Sequence, residues 1–384
     1  MENLNNNQRA FFELVKAGLW ADTESTDLQG QGFTGSVDWK KVYQLSVEQS
    51  VQGLVLAGIE KTNTNRTDHT NRVPQELLLQ WIGEVQMIEQ QNKAMNIFVA
   101  KLIDHLRSQD IYALLVKGQG IAQCYERPLW RASGDVDLLL SDVNYEKAKK
   151  VLLPLAIDAE QEYKSFKHIG MTLKGDYVVE LHGTMHSRLS KRVDIGIDEA
   201  QKDVFYGSSV RSWLNGSTQI FLPSANNDVV FVFTHILHHF YIEGIGLRQI
   251  CDWCRLLRTY KDSLDLRLLE SRIRKMGLMS EWKAFAALAV DWLGMPVEVM
   301  PLYSSDKKWS KKAEKIIGFV LETGNFGHNR RVANGKVGSA WNKMKDFARH
   351  TRVFPLDSIK FFFHFVGSGV QVATETVLSS RNSR

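Results

Sequence analysis

The sequence predicts an α+β protein in which a mixed β-sheet lies between two helical regions. Two patterns lead to this prediction. Apolar residues recur at helical spacing up to about residue 108 and again after residue 228, whereas short apolar runs separated by turn residues fill the stretch between about 111 and 222. We therefore expect an N-terminal helical region over 1–109, an α/β core over 110–225 and a C-terminal helical region over 226–384.

The N-terminal region is expected to be helical. Apolar positions at three- and four-residue steps predict one helix over 39–51 and, from Glu76 to Ser108, one long helix or two abutting ones. A polar stretch over 62–72, rich in Asn and Thr, predicts a loop between them. Pro74 suits the first turn of the helix that follows this loop.

The core is expected to combine strands with one helix. Gly175-Asp176 separates two of the predicted strands and is typical of a hairpin turn. A helix is predicted over 142–153, with Ser141 or Asp142 as its N-cap. Strands are predicted at four apolar runs: 111–117, 134–140, 167–174 and 177–183.

The C-terminal region returns to helical spacing and ends in a basic segment. Helices are predicted over 228–241, 247–260, 264–276 and 281–293. Between Lys307 and Lys360 there are 13 Lys or Arg residues and four acidic residues, so this segment has a net charge of +9. The whole chain has a net charge of +5, so the rest of the chain carries −4. Such a segment could contact nucleic acid or a phosphorylated acceptor, although solvated helix faces have the same composition.

Composition narrows the class of protein. The 384 residues suffice for two or three domains, and three cysteines, a low and odd number, fit a reducing compartment without a disulfide framework. The N-terminus has no secretory pattern, and no run reaches the ~18 apolar residues of a membrane span. A cytoplasmic protein without a membrane span is therefore expected.

Two aspartates stand at the start of the second predicted strand. Asp135 and Asp137 flank Val136 in the run SGDVDLLL at residues 133–140. Side chains alternate along a strand, so both carboxylates point to one face while Val136 points to a core. Neighbouring carboxylates repel each other and are costly to bury, and a divalent cation relieves both costs. The spacing suits a magnesium site for phosphoryl or nucleotidyl transfer, and the apolar runs that flank it along the chain strengthen this interpretation over a solvated turn, which the spacing alone does not exclude.

A third carboxylate lies in a later predicted strand. Period-2 alternation over 177–182 puts Glu180 and His182 on one face and the apolar residues between them on the other. Glu180 would complete a two-metal site with Asp135 and Asp137, although an exposed strand carboxylate is the alternative. His182, and with it His168, is expected to support a carboxylate or else to be an ordinary, partly buried histidine.

These residues together resemble a known family. The chain has Lys117-Gly118, then RASGDVDLL over 131–139, then VELH over 179–182. The uncharacterised bacterial nucleotidyltransferases of the polymerase-beta-like superfamily are similar: they carry Lys-Gly, Arg-x-x-Gly-Asp-hydrophobic-Asp-Leu-Leu and hydrophobic-Glu-hydrophobic-His in this order. The resemblance is strong over roughly 110–185 and weaker over about 35–260.

The resemblance implies a nucleotidyltransferase core, a metal and a reaction. Asp135, Asp137 and Glu180 would be the catalytic residues and would hold Mg²⁺ or Mn²⁺, and Glu180 could also accept the acceptor proton. The substrate would be a nucleoside triphosphate such as ATP. Its nucleoside monophosphate would pass to a hydroxyl of an unknown acceptor (a small molecule, a protein or an RNA) with release of pyrophosphate.

The resemblance also implies which residues contact the nucleotide. In the superfamily, the turn that corresponds to Lys117-Gly118 contacts the phosphates; Gly118 would allow close backbone approach, and Lys117 would add a positive charge. Gln119 stands where the superfamily pattern has a small residue. Arg131 suits a bidentate phosphate contact or, alternatively, a salt bridge that steadies one of the two aspartates. The expected nucleotide-binding residues are therefore Lys117, Gly118, Arg131 and Gly134.

Two other functions stay open from the sequence. His235, His238 and His239 share one predicted helix, and Cys251 and Cys254 follow on the next. Together they could form a tetrahedral zinc site, although cysteines at this spacing are also common in a helical core. A nucleotidyltransferase fold could also serve as a non-catalytic binding module or an antitoxin-like partner. The presence of all three carboxylates favours catalysis.

Overall fold

The computed structural model describes residues 4–20, 36–64, 72–162, 167–207, 209–325, 335–364 and 367. The side chains of residues 63, 64 and 335–341 lie outside this description. Most of the loop predicted over 62–72 also lies outside the described residues.

Among the described residues, four helices precede the sheet: α1 (Asn6–Leu19), α2 (Trp39–Glu48), α3 (Gln52–Thr64) and α4 (Gln75–Arg107). Helix α2 ends at Glu48, before the end of the helix predicted over 39–51, because Ser50 adopts a positive φ of 54°. Helix α3 then begins at Gln52. The side chain of Asp38 caps α2 by accepting from the backbone N–H groups of Lys40 and Lys41. The spacing from Glu76 to Ser108 allowed either one long helix or two abutting ones. The structure has one continuous helix of 33 residues there, Gln75–Arg107.

The sheet has seven strands in the order β3-β4-β5-β2-β1-β7-β6. Strand β2 lies at its centre, antiparallel to β1 and parallel to β5. The sheet is therefore mixed, as the sequence predicted. The strands are β1 (Ala113–Val116), β2 (Asp135–Leu140), β3 (Ala156–Ala159), β4 (His168–Leu173), β5 (Tyr177–His182), β6 (Val210–Asn215) and β7 (Thr218–Pro223).

Four strands occupy the predicted runs, and three were not predicted. Strands β4 and β5 form the expected antiparallel hairpin, with Gly175 at φ 90° and Asp176 at φ 60° in its turn. Two positive φ values in succession are typical of the tight hairpin turns whose twist matches the flanking strands. The unpredicted strands are β3 at one edge of the sheet and the pair β6 and β7 at the other.

Central strand β2 buries its two faces differently. Val136, Leu138 and Leu140 belong to an apolar cluster with the C-terminal half of α4 and with α6 (Asp142–Leu152). Leu139 points to the opposite face and joins the larger core that the helices build. Asp135 and Asp137 share that opposite face, as strand alternation requires. The two aspartates therefore look toward the helical region.

Helices cover the side of the sheet that carries Asp135 and Asp137, and they build the larger core on that side. Among the described residues, none of these helices combines the length and the apolar character that crossing a lipid bilayer requires. A further helix covers 355–364. The remaining helices are α5 (Gly118–Ala122), α7 (Lys191–Tyr206), α8 (Ala225–Ile242), α9 (Leu247–Thr259), α10 (Leu266–Met276), α11 (Met279–Leu293), α12 (Lys307–Thr323) and α13 (Gly335–Thr351).

Candidate active site

Three carboxylates meet on two neighbouring parallel strands. Asp135 and Asp137 lie on β2, Glu180 lies on β5, and the strand register places Asp137 beside Glu180. One oxygen from each carboxylate lies within 4.8 Å of the other two. The structure therefore brings together the three acidic residues that the sequence singled out.

Lys117 supplies a positive charge at the same place. Its Nζ lies 2.9 Å from Oδ1 of Asp137, and both side chains are largely buried. Lys117 follows β1 directly, with φ 56° and ψ −141°, a conformation that non-glycine residues rarely adopt, and Gly118 comes next with φ 34°. Such strain persists only where the surrounding structure enforces it. In this turn the lysine side chain reaches the aspartate of β2, the strand that pairs with β1.

Two histidines link the carboxylates. Nε2 of His182 lies 2.7 Å from Oδ1 of Asp137 and 3.4 Å from Oε2 of Glu180. Nε2 of His168, on the neighbouring strand β4, lies 3.2 Å from the same oxygen of Glu180. Both histidines therefore contact carboxylates of the triad, as their predicted supporting role requires.

The surroundings shift the pKa values of these groups in opposite directions. The neighbouring Asp137 carboxylate, together with burial, raises the pKa of Asp135. Burial alone would raise the pKa of Asp137, but Lys117 and His182 outweigh it and lower that pKa. Burial likewise opposes ionisation of Glu180, yet the hydrogen bonds to His168 and His182 hold its pKa well below the usual range. Asp135 therefore carries the least compensated negative charge of the three.

This donor set fits Mg²⁺ or Mn²⁺. Both ions prefer carboxylate oxygens, and three such side chains converge here. A cation beside Asp135 would relieve the repulsion from Asp137 that raises its pKa. The three carboxylates are therefore the residues that would hold the metal.

Arg131 pairs with a different acid from the one anticipated. Its Nε and Nη2 donate to the two carboxylate oxygens of Asp252 on α9, at 2.8 and 2.7 Å, in a buried bidentate pair. The hydroxyl of Tyr125 donates to Asp252 as well, at 2.7 Å. The predicted alternative, a salt bridge from Arg131 to one of the paired aspartates, is thus not the arrangement found. The ion pair instead connects the segment before β2 to α9.

The same segment, residues 131–134, is held by further polar contacts. Nη1 of Arg131 donates to Oγ of Ser133 at 2.7 Å, and Nη1 of Arg248 donates to the carbonyl oxygen of Ala132 at 2.6 Å. Gly134 is exposed, and a Cβ added to it would meet no atom within 4 Å. The two arginines therefore fix the backbone that leads into Asp135.

A cavity of about 530 Å³ adjoins the carboxylates. Lys117, Gly118 and Arg131 line it, together with residues of α8 and α9. Two lining residues, Thr184 and Gln249, each carry a buried side-chain atom, Oγ1 and Nε2 respectively, that makes no hydrogen bond within the part of the chain that the structure describes. Pockets of this size hold small-molecule ligands, and buried polar atoms normally have partners. The cavity is therefore large enough for a small-molecule substrate, and two of its lining residues carry polar atoms without a partner.

The histidines of α8 line this cavity, but the cysteines of α9 do not join them. His235, His238 and His239 are all lining residues. Cys251 and Cys254 are fully buried in the apolar core of the helical region. Among the described residues, neither of the two groups of side chains that could hold a metal ion includes a cysteine. The zinc arrangement considered from the sequence is thus not what the fold brings together.

Several lining residues were not predicted as functional from the sequence. Thr184 and Glu243 lie in the cavity wall, and neither belongs to a recognisable motif. Gln249 lies on α9 between Arg248 and Asp252, the two residues that the sequence predicts to face the cleft between domains or to pair with each other; both line the cavity. Its position beside these two residues is the signal that could have identified Gln249.

A family comparison assigns the chain. Residues 35–294 match the model of a family described as uncharacterised nucleotidyltransferase. A search among curated proteins gave no match. Among solved structures, an antigenic nucleotidyltransferase-like protein from Paracoccidioides brasiliensis is similar at 15% identity and a TM-score of 0.29, over 48% of this chain and 90% of that one. With the family match spanning the sheet, the three carboxylates and the helices that cover them, the chain belongs to the uncharacterised nucleotidyltransferase family.

Proposed function

We propose that this protein transfers a nucleoside monophosphate from a nucleoside triphosphate to an acceptor hydroxyl and releases pyrophosphate. The observation that carries the proposal is the convergence of Asp135, Asp137 and Glu180 at the wall of a cavity of about 530 Å³. A purely structural role would not require three acids with their oxygens within 4.8 Å of one another. Membership of the family supports the class of reaction.

The three carboxylates would hold Mg²⁺ or Mn²⁺, which when bound neutralises phosphate charge and lowers the pKa of a coordinated hydroxyl. Lys117 holds the Asp137 carboxylate ionised in the absence of the metal. His182 and His168 orient the carboxylates, so their oxygens stay aimed at the cavity. The site is therefore largely formed before substrate binds.

Lys117, Gly118 and Arg131 would face the triphosphate. All three line the cavity, and Gly118 has no side chain that would keep a phosphate away from the backbone. Arg131 already shares its charge with Asp252, so its contribution would be mainly positional. For Gly134, which does not line this cavity, nucleotide contact stays a prediction.

The acceptor carries a hydroxyl and is not identified further by the site. A phosphorylated small molecule or an RNA end would suit the exposed lysines at the start of α12 (Lys307, Lys308 and Lys311). The start of α12, within the basic segment 307–360, is therefore proposed as an auxiliary surface rather than as part of the chemistry.

Turnover tests the proposal. Purified protein is incubated with Mg²⁺ or Mn²⁺ and each of the four α-labelled nucleoside triphosphates. Pyrophosphate release and label transfer to the protein itself, to RNA and to a metabolite extract are followed. The Asp135→Asn, Asp137→Asn double variant is the matched loss-of-function control, and Asp158→Asn, at an exposed position on β3, controls for the loss of a carboxylate.

We expect label transfer that the double variant loses and that Asp158→Asn retains. Nucleotide binding that depends on the metal but gives no transfer, across all four nucleotides and acceptor classes, would contradict catalysis and support a binding module. Transfer that survives in the double variant would show that the chemistry lies elsewhere in the chain.

A further inference from the structure

A second group of side chains that could hold a metal ion lies beside the three carboxylates and shares one residue with them. This histidine group consists of His168, Glu180 and His182, whose ligand atoms all lie within 4.8 Å of one another. Asp135, Asp137 and Glu180 offer carboxylate oxygens, whereas the histidine group offers two imidazole nitrogens and one carboxylate oxygen. The function proposed above uses the two histidines to orient carboxylates and leaves their capacity to bind a metal unused.

Strand pairing places the three side chains of the histidine group on one face of the sheet. His168 on β4 is the direct antiparallel partner of His182 on β5, so the two side chains project to the same side, with their ring centroids 4.8 Å apart. Glu180 stands two residues before His182 on β5 and shares that side because side chains alternate along a strand. The register of one hairpin therefore brings two imidazoles and a carboxylate together.

The strand ends that carry the two histidines are held close together. The backbone N–H of Gly183, directly after β5, donates to the carbonyl oxygen of Lys167, directly before β4, at 2.7 Å. A Cβ added to Gly183 would lie 2.6 Å from Cβ of Lys167, so a side chain at this position would push the strand ends apart. The pair of His168 and His182 is therefore positioned by the backbone, as a preformed metal site requires.

The distances within the histidine group match the coordination geometry of zinc. Nε2 of His168 and Nε2 of His182 lie 3.2 and 3.4 Å from Oε2 of Glu180. Two ligand atoms that are each about 2.1 Å from a tetrahedral zinc ion lie about 3.4 Å apart. By contrast, the 2.7 Å between Nε2 of His182 and Oδ1 of Asp137 is the length of a hydrogen bond, which zinc on that nitrogen would replace.

The histidine group is accessible, and its donor atoms separate it from a magnesium site. Its three residues line the active-site cavity, and the side chains of His168 and Glu180 are 21% and 29% exposed. Mg²⁺ takes oxygen ligands in an octahedral arrangement, whereas imidazole nitrogen suits zinc and other transition metals. Mg²⁺ would therefore bind the three carboxylates, and zinc would bind the histidine group.

We propose that His168, Glu180 and His182 form a zinc-binding site, and that zinc bound there inhibits the protein by withdrawing Glu180 from Mg²⁺. Zinc takes the lone pair on Nε2 of each imidazole, so a proton on that nitrogen moves to Nδ1 or leaves to solvent. Three protein ligands leave a fourth position for water. The inhibition rests on the proposed nucleotidyl transfer, because Glu180 also belongs to the three carboxylates, whereas the zinc site itself does not depend on that function.

Cobalt titration of the metal-free, full-length protein tests the site without requiring activity. Co²⁺ replaces zinc in tetrahedral sites and absorbs visible light there. We expect one Co²⁺ to bind with this absorption and zinc to abolish it. No thiolate-to-cobalt band should appear, because the three cysteines are buried and do not line the cavity. Added Mg²⁺ should weaken zinc binding, since both ions need Glu180. A thiolate band, or zinc affinity that Mg²⁺ leaves unchanged, would contradict the proposal.

Two variants and two controls locate the cobalt. His168→Gln and His182→Gln each keep an N–H that can donate to a carboxylate but lose the imidazole ligand, so the Kd for zinc should rise roughly 100-fold or more in both. His105→Ala removes an exposed histidine of α4, and His235→Gln alters a rival pair on α8, in which Nε2 of His235 lies 3.0 Å from Nε2 of His239. Both controls should keep the zinc affinity. Cobalt binding that survives in both of the first variants, or that is lost in His235→Gln, would overturn the site.

Label transfer at a fixed Mg²⁺ concentration tests the inhibition. Each protein is compared with itself in the absence of zinc, so an effect of the substitution on the basal rate does not enter. We expect zinc to slow transfer by the unaltered protein and by His105→Ala at least about tenfold, and added Mg²⁺ to restore the rate. His168→Gln should stay within about twofold of its own zinc-free rate at the same zinc concentration. Equal inhibition of His168→Gln would show that zinc acts elsewhere.

The two measurements separate two kinds of failure. If the unaltered protein transfers no nucleotide, the proposed function fails, and the cobalt titrations still decide whether the zinc site exists. If transfer occurs and zinc binds the histidine group without slowing it, the proposed function stands and the inhibitory role is wrong.

Discussion

At the scale of single residues, Asp135 and Asp137 have opposite effects on the charge balance of the site. Asp137 is ion-paired with Lys117 and hydrogen-bonded to His182, which lower its pKa. Asp135 has a raised pKa because Asp137 and burial both oppose its ionisation. When folding raises the pKa of an acid, the protein loses stability as the pH rises from the pKa of that acid in the unfolded chain to its pKa in the folded protein. When folding lowers the pKa of an acid, the protein gains stability as the pH rises between the two values.

This difference predicts that the two conservative substitutions change stability with opposite signs in metal-free protein. Asp137→Asn leaves Lys117 buried without its ionic partner and should lower the free energy of unfolding by about 3 kcal/mol. Asp135→Asn removes a repulsive charge and should leave that free energy unchanged or raise it. Urea unfolding at pH 7 with EDTA measures both. Equal destabilisation by the two variants would contradict this description of the charges.

Adding Mg²⁺ should reverse the benefit of Asp135→Asn. A ligand that binds only the folded state stabilises it in proportion to RT ln(1 + [L]/Kd), and Asp135 is a proposed ligand. The unaltered protein should therefore gain thermal stability with increasing Mg²⁺ or Mn²⁺, whereas Asp135→Asn should gain little. An equal shift of Tm in both proteins would show that the metal binds without Asp135.

At the scale of elements, the sequence was most informative where local geometry decides the structure. The hairpin of β4 and β5 was predictable because Gly175-Asp176 suits a turn with two positive φ values. The hairpin of β6 and β7 carries its own signal, the two-residue turn Gly216-Ser217 with Gly216 at φ 62° between the paired Asn215 and Thr218, and attention to this dipeptide would have identified it. Strand β3 gives a weaker signal: it has four residues, and three of them are exposed.

The contact between α8 and α11 gives a prediction about pH. Burial raises the pKa of Glu281 on α11 to about 8, and Asp357 adds to the effect. The hydroxyl of Tyr241 on α8 donates to one oxygen of Glu281 at 3.1 Å. Within the described part of the chain, the other oxygen is buried without a hydrogen-bond partner. The folded protein therefore keeps Glu281 protonated in a pH range where the unfolded chain would release the proton.

Stability should consequently fall as the pH rises from about 4.5 toward 8, and the loss from this group should be complete above pH 8, on the order of 4 kcal/mol. Glu281→Gln mimics the protonated carboxyl and should remove this part of the pH dependence. Chemical unfolding of both proteins between pH 5 and pH 9 measures the difference. Parallel stability curves for the two proteins would contradict the assignment.

At the scale of the whole molecule, the site combines parts that are far apart in the sequence. The three carboxylates could be predicted because each lies in a strand whose alternation fixes its face. The pair of Arg131 with Asp252 could not, since it joins residues that are 121 positions apart through the packing of α9 on the core. The role of α8 as a cavity wall likewise depends on helix packing, which periodicity does not specify.

The basic segment is predicted to affect substrate binding and not stability. Lys307→Gln, Lys308→Gln and Lys311→Gln together remove three exposed charges at the start of α12, outside the matched family region. If the acceptor is phosphorylated, its KM should rise several-fold and depend less on salt, while the KM for the nucleotide and the unfolding free energy change little.

Three exposed lysines outside the segment provide the matched control: Lys101→Gln, Lys150→Gln and Lys202→Gln. This control carries the same change in net charge. An equal rise in the acceptor KM for both triple variants would show a general effect of net charge and would contradict a binding role for the segment.

The most direct test of the central claim follows two labels from one nucleoside triphosphate, at the α- and at the γ-phosphate, in the presence of Mg²⁺ and acceptor. Nucleotidyl transfer predicts that the α-label appears on the acceptor and the γ-label in pyrophosphate, at equal rates, and that Asp135→Asn with Asp137→Asn abolishes both. Appearance of the γ-label on the acceptor would instead indicate phosphoryl transfer. That result, or transfer unaffected by the double substitution, would contradict the function proposed for this site.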